Sequence, residues 1–254
     1  MLELLLSSLV QTHDNQKNMK NSLVLLFLSL ALLSCENDFS IRGTISSDVV
    51  NGEYMYIRMA ENGSVVTIDS CRVQHSTFEM RGTADSAFVA SLCIGDIPIL
   101  PFVAEKGNIV FDITDNGIEL GGTPLNDELN LFMREQVRFE QLMHELKRVE
   151  TSLVLNGRST EAAADYVSDS IEAVGASVEQ LVDDYVRRNI NNVLGPCIFA
   201  LRYSGVPAPI LNSELESLYN DAPLSFRNDA FVKHFYDVAR ENANRLERQR
   251  LLEK

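Results

Sequence analysis

Few residues of this chain are spaced to do chemistry together. Its four cysteines are Cys35, Cys71, Cys93 and Cys197. A dithiol that cycles between thiol and disulfide uses the C-x-x-C spacing, which occurs nowhere here. The four histidines, His13, His75, His144 and His234, share no ligand spacing such as H-x-x-x-H and read as surface or boundary residues. No G-x-S-x-G nucleophile elbow is present, nor a Walker loop, nor a dinucleotide fingerprint. Gly121-Gly122 runs into a helix start as a phosphate loop does, but without a lysine or a third glycine it reads more simply as a boundary turn. Asp112 and Asp115 lack the spacing of a calcium loop. Asp183 and Asp184 are adjacent in a helical stretch, so their side chains diverge by about 100° and cannot share one metal unaided. These patterns predict no catalytic residue, no metal and no cofactor.

Cys35 is the exception, because of what precedes it. Met19 to Cys35 reads MKNSLVLLFLSLALLSC. Lys20 supplies a basic start, Leu23 to Leu33 an apolar core, and Leu32-Leu33-Ser34-Cys35 resembles a lipobox. The apolar run is shorter than the about 20 residues a membrane span needs, and it fits the about 7–15 residues of an export signal. In this reading the Cys35 thiol carries a diacylglyceryl group, with palmitate-type chains, and the chain is cut just before it. The eighteen residues ahead of Met19 read as an upstream start, or else as a long basic region. The organisation expected is 1–34 upstream residues and signal, 35–38 a tether, 39–122 a β domain and 123–254 a helical segment. Glu36 and Asp38 next to the lipid read as a soluble tether or as a sorting signal.

Residues 1–34 contain Glu3, Asp14, Lys17 and Lys20, whose charges cancel, so the remaining chain keeps the net charge of -14. Such a chain is repelled by nucleic acid and by anionic lipid, and nucleic acid is excluded as a partner. Cys71 and Cys93 both fall in strand-like segments and either pair, as an oxidising compartment allows, or are small buried hydrophobes.

The elements change class along the chain. Phe39, Ile41 and Ile45 recur with period two, and Tyr54 to Met59 is followed by Asn62-Gly63, a hairpin signal. Val65–Val73, Phe78–Arg81, Phe88–Ile94, Ile97–Ala104 and Ile109–Ile113 continue the pattern, making seven or eight short strands of an antiparallel sandwich or open barrel. At Gly121-Gly122-Thr123-Pro124 the period changes. Thr123 suits an N-cap and Pro124 the first helical position. Leu129, Phe132, Phe139 and Met143 share a face, and Gly157 ends this helix. A second helix begins near Ser159, with Val167, Ile171, Val174, Val178, Leu181 and Tyr185 as its stripe. Gly195 to Tyr203, a capping box at Ser213-Glu-Leu-Glu216, and Asn228 to Leu252 complete the helical part. Phe231, Phe235, Val238 and Leu246 mark the inner side of the last helix. Its Arg240, Arg245, Arg248, Arg250 and Lys254 read as a solvated face that offsets the helix dipole. The fold class expected is α+β.

Four motifs carry a family resemblance. They are Phe39-Ser-Ile-Arg-Gly43-Thr-Ile45, Ile68-Asp69-Ser70 with Phe78-Glu-Met-Arg-Gly82, Pro101-Phe-Val-Ala-Glu105-Lys-Gly107-Asn-Ile109, and Gly121-Gly-Thr123-Pro-Leu-Asn126. In this order they resemble the N-terminal domain of unknown function 4369, found in lipoproteins ahead of TlpA/ResA-like thiol-disulfide oxidoreductases. The W-C-x-x-C of those enzymes is missing here, so no catalytic residue carries over. The resemblance implies a lipid-anchored protein of the cell envelope, at the outer membrane on its periplasmic face or at the cell surface. The expected role is non-catalytic, a binder or scaffold of an envelope protein or small ligand. The alternative is an accessory, or the N-terminal half, of a thiol-disulfide system.

Overall fold

The computed structural model describes residues 38–46, 52–61 and 63–252, so the lipobox reading of Cys35 lies outside the described residues. Eight strands come first: β1 (Asp38–Ile45), β2 (Tyr54–Glu61), β3 (Ser64–Arg72), β4 (Thr77–Thr83), β5 (Phe88–Ile94), β6 (Ile97–Ala104), β7 (Gly107–Thr114) and β8 (Gly117–Gly121). They form two four-stranded sheets, ordered β4-β1-β7-β8 and β3-β2-β5-β6. Alternate residues point inward, as a pleated strand requires. Phe39, Ile41, Phe78, Met80, Ile109 and Phe111 of the first sheet meet Met55, Ile57, Leu92 and Phe102 of the second, all buried. Phe102 and Phe111 pack edge to face across the interior with ring centres 5.6 Å apart.

The expected sandwich is present, with one departure from antiparallel order. β1 and β7 pair in parallel, Ile41 opposite Ile109. A parallel pair needs a long crossover in place of a hairpin, and the strands β2 to β6 are that crossover.

The glycines of the first two motifs have a steric reason. Phe78 on β4 lies over Gly43 on β1, and Phe39 on β1 lies over Gly82 on β4; a Cβ at either glycine would sit within 3 Å of the ring. The reciprocal placement, 43 with 78 and 39 with 82, runs the two strands antiparallel. Asp69 of the same motif set closes the sandwich edge. Its carboxylate accepts from the Ser70 amide at 2.8 Å and from the Arg81 amide of β4, in the other sheet, at 2.8 Å.

The β3–β4 hairpin turns on His75 and Ser76, which have φ of 51° and 60°. The Gln74 and Thr77 backbones exchange two 3.0 Å hydrogen bonds around them. A two-residue turn with both φ positive favours Asn-Gly, so this turn is strained. Ser76→Gly is expected to stabilise the protein by about 1 kcal/mol in urea denaturation. A loss of stability would show that Ser76 is tied down by its surroundings.

The helices are α1 (Pro124–Leu155), α2 (Thr160–Arg188), α3 (Leu194–Tyr203), α4 (Ser213–Asp221), α5 (Leu224–Arg227) and α6 (Ala230–Leu252). Phe132 near the start of α1 meets Tyr185 near the end of α2, ring centres 5.2 Å apart, so the two form the expected antiparallel hairpin. α2 begins beside Ser159 as expected, and the Ser159 side chain caps it, accepting from the Ala162 amide.

Three local expectations are corrected. Thr123 stands at the N-cap of α1 but its side chain does not cap it; Glu105 does, accepting from the Leu125 and Asn126 amides at 2.7 and 3.3 Å. The box at Ser213 shifts by one residue, because Asn212 accepts from Leu215 and leaves Ser213 as the first helical residue. The inner stripe of α6 is Val232, Phe235, Tyr236 and Ala239, while Leu246 is 39% exposed because the helix has run past the body.

Phe199 of α3 is the centre of the helical core. The rings of Tyr203, Phe226, Phe231, Phe235 and Tyr236 lie 4.6 to 6.3 Å from it. Sandwich and helices join in one unit from Phe39 to Lys254. The joint is the start of α1. Asn126, fully buried, accepts from the Val103 amide at 2.8 Å and donates to the Val103 carbonyl at 2.7 Å and to Thr123 Oγ1 at 2.8 Å. One turn on, Asn130 accepts from the Leu120 amide of β8 at 3.2 Å. The two asparagines fasten α1 to β6 and β8, one at each edge strand.

Candidate functional site

The outer face of the second sheet and the helices that follow α2 enclose a groove of about 820 Å³. Its floor comes from sheet positions of outward register: Arg58 and Ala60 on β2, Val89 and Ser91 on β5, and Pro101 on β6. One wall is the start of α3 with Val193, Pro196, Cys197 and Ala200, and the other is the α5–α6 junction with Asn228, Asp229 and Phe231. The lining is mainly apolar, as small-molecule sites are.

Two ionised groups among the lining residues reach this groove, one in an ion pair and one capping a helix. The Arg58 guanidinium pairs with Asp96 at 3.0 Å and lies 4.7 Å from the centre of the Tyr56 ring. The Asp229 carboxylate accepts from the Phe231 and Val232 amides at 3.0 and 3.1 Å, capping α6. Among the described residues, the side chains of Ser91, Asn191, Ser204 and Asn228 line the groove without a hydrogen bond to the protein.

A second hollow, about 860 Å³, lies on the first sheet around Gly43, Phe78 and Phe111. Its charged rim is internally matched, Arg42 with Glu79 and Thr44 with Asp112. Cys71 also lines it, whereas Cys197 lines the groove.

The structure leaves Cys71, Cys93 and Cys197 free. Cys71 pairs in register with Met55, and Cys93 with Tyr56, on opposite sides of β2. Two strand spacings separate them by about 9–10 Å, beyond the about 7 Å a disulfide spans. Neighbouring positions on β2 also point to opposite faces. Of the two sequence readings, the geometry selects unpaired thiols. Burial pushes the Cys71 thiol up, opposed by a hydrogen bond from the Glu79 backbone. Burial also pushes Cys93 up, opposed by Arg58. Cys197 is pushed by burial up to about 12.

A raised thiol pKa disfavours the nucleophilic thiolate. At pH 8 native protein is expected to leave Cys197 unalkylated by iodoacetamide, with labelling appearing in urea. The sign for stability follows from the same shift. The folded pKa lies above the unfolded value, so this contribution is held below about pH 9 and lost between about pH 9 and 12. Cys197→Ala should flatten the alkaline fall in stability, read by urea denaturation at pH 8 and pH 10.5. An unchanged slope would show that Cys197 is not the titrating group.

Cys35, the site residue expected from sequence, lies outside the described residues. His75, His144 and His234 are all exposed and far apart in sequence. Among the described residues no three His, Cys, Asp or Glu are grouped to hold a metal. Asp183 pairs with Arg187 at 2.7 Å, one helical turn on. The groove residues Arg58, Ser91, Asn191 and Asn228 were missed by sequence reasoning. They come from two strands, an interhelical turn and a helix junction, and no local spacing links them.

Residues 39–129 match the family described as Domain of unknown function (DUF4369). No curated protein matches the chain, and no solved structure does. The matched span covers the sandwich and the first turns of α1, so it includes the Asn126 clamp and its Glu105 cap. Every motif residue traced above acts on the fold: Phe39 and Phe78 cover glycines, Asp69 joins the sheets, and Glu105 and Asn126 seat the helix.

Proposed function

We propose that this is a lipid-anchored protein of the cell envelope that acts by binding, through the groove between the second sheet and the helices, and not by catalysis. The groove is the observation that carries the binding half. There an apolar surface of ligand size meets polar side chains that the fold does not use. The non-catalytic half is supported by where the motif residues are spent. They are consumed in packing glycines, joining sheets and capping a helix, and such residues define a fold and not a reaction. The anchor is supported by the Leu32-Leu33-Ser34-Cys35 lipobox. Among the described residues no helix is long and apolar enough to cross a membrane. The same reading sets the protein at the outer membrane, with its body in the periplasm or at the cell surface.

Mass spectrometry of the membrane fraction is expected to find lipid on Cys35 as the first residue. Acyl chains contribute about 0.8 kcal/mol per buried CH₂, so two or three chains anchor the protein stably at the membrane. Cys35→Ala is expected to release the protein into the soluble fraction. A variant that stays as firmly membrane-bound as the parent would overturn the anchor.

A further inference from the structure

We infer that the groove takes a neutral amphipathic small molecule, with an apolar body and hydroxyl or amide groups, in preference to an anion. The inference deepens the binding reading above and rests on it.

Size comes first. A volume of about 820 Å³ falls within the about 300–1,000 Å³ of ordinary ligand sites. Charge comes second. The groove's cation, Arg58, already holds Asp96, and its anion, Asp229, already holds two helix amides. An anionic ligand would leave water without finding an unpaired cation, since Arg58 is already engaged, and that desolvation is uncompensated. The net charge of -14 further lowers the local concentration of anions. Third, the free polar groups are uncharged. Ser91 rises from the floor, Asn191 and Ser204 flank α3, and Asn228 stands at the α5–α6 junction. Hydroxyls and carboxamides both donate and accept, so they match neutral hydroxyl or amide groups on a ligand. Val89, Ala200 and Phe231 then take its apolar body.

A matched pair of fluorescent probes tests this: neutral N-phenyl-naphthylamine, and anilinonaphthalene sulfonate, which adds one sulfonate to the same rings. Both are titrated into the purified chain carrying Cys35→Ala. The neutral probe is expected to bind at least about tenfold more tightly. Ser91→Trp on the floor and Ala200→Trp on the wall each fill the groove, and each is expected to weaken that binding about tenfold or more with the melting temperature kept. Leu142→Trp, on α1 and outside the groove lining, should leave it unchanged. If the sulfonate binds as tightly as the neutral probe and both tryptophans expel it, the groove stands as a site and the neutral assignment is overturned. If neither probe binds, or folded tryptophan variants bind as the parent does, the binding reading itself fails. Ala200→Leu, a smaller filling, serves in place of any tryptophan variant that does not fold.

Discussion

Replacing Asn126 by alanine is expected to lower the unfolding free energy by about 3–5 kcal/mol, the largest single effect of any polar substitution in this chain. The reason is the partner set. Asn126 is 0% exposed, and its carboxamide serves both the N–H and the C=O of Val103, as a neighbouring strand would. Alanine leaves both backbone groups buried and unpaired, at about 1–3 kcal/mol each. It also strips Thr123 Oγ1 of its donor. Because the residue sits where the sandwich meets α1, the loss should appear as separation of the two parts. Trypsin is expected to cut near the start of α1 in the variant before it cuts the parent. Asn130→Ala removes a partly buried bond on the same helix and should cost about 1 kcal/mol. If the two variants prove equally mild, α1 is held by its apolar contacts at Leu129 and Phe132 and the clamp is incidental.

The second large effect concerns the ring-over-glycine exchange between β1 and β4. Gly43→Ala is expected to cost about 1–3 kcal/mol, because the new methyl occupies the space of the Phe78 ring. Phe78→Ala alone should cost about 3–5 kcal/mol through the cavity it opens. The double variant Gly43→Ala/Phe78→Ala should cost no more than Phe78→Ala, since the methyl then enters the vacated space. The coupling so measured should be about 2 kcal/mol by urea denaturation of the four proteins. Additive effects would mean that Gly43 is needed for its backbone and not for the ring. Gly82 with Phe39 offers the same cycle from the other strand and serves as an independent repeat.

These two results separate kinds of information in the chain. The strands were legible because alternation is local: Phe39, Ile41 and Ile45 carry the period of two by themselves, and Gly63 and Gly117 mark turns with φ of 78° and 143°. The long helices were legible for the same reason. Their stripes repeat over many turns, and Ser159 and Gly157 announce where one ends and the next begins. In the α6 stripe Phe231 and Phe235 do pack inward, but Val232, Tyr236 and Ala239 complete the buried face where Val238 and Leu246 were expected. Which face is buried is decided by Phe199 and its neighbours, which lie in another helix. Likewise, Thr123 has the right residue type for a cap, but its hydroxyl accepts from Asn126, and a glutamate from the β6–β7 turn takes its place.

What the sequence determined by itself, then, is the succession of elements, the switch from β to α at Gly121-Gly122, and the absence of C-x-x-C. All are read from neighbours in the chain, where spacing alone carries the physics. The tertiary structure alone decided the parallel β1–β7 pair, the separation of Cys71 from Cys93 by a whole strand, the bond that ties Asp69 to the other sheet, and the groove. Each depends on residues twelve or more positions apart being brought together. Arg58, Ser91, Asn191 and Asn228 meet only because the helices after α2 fold back over the outer face of the second sheet, and burial of the apolar surfaces around them drives that return.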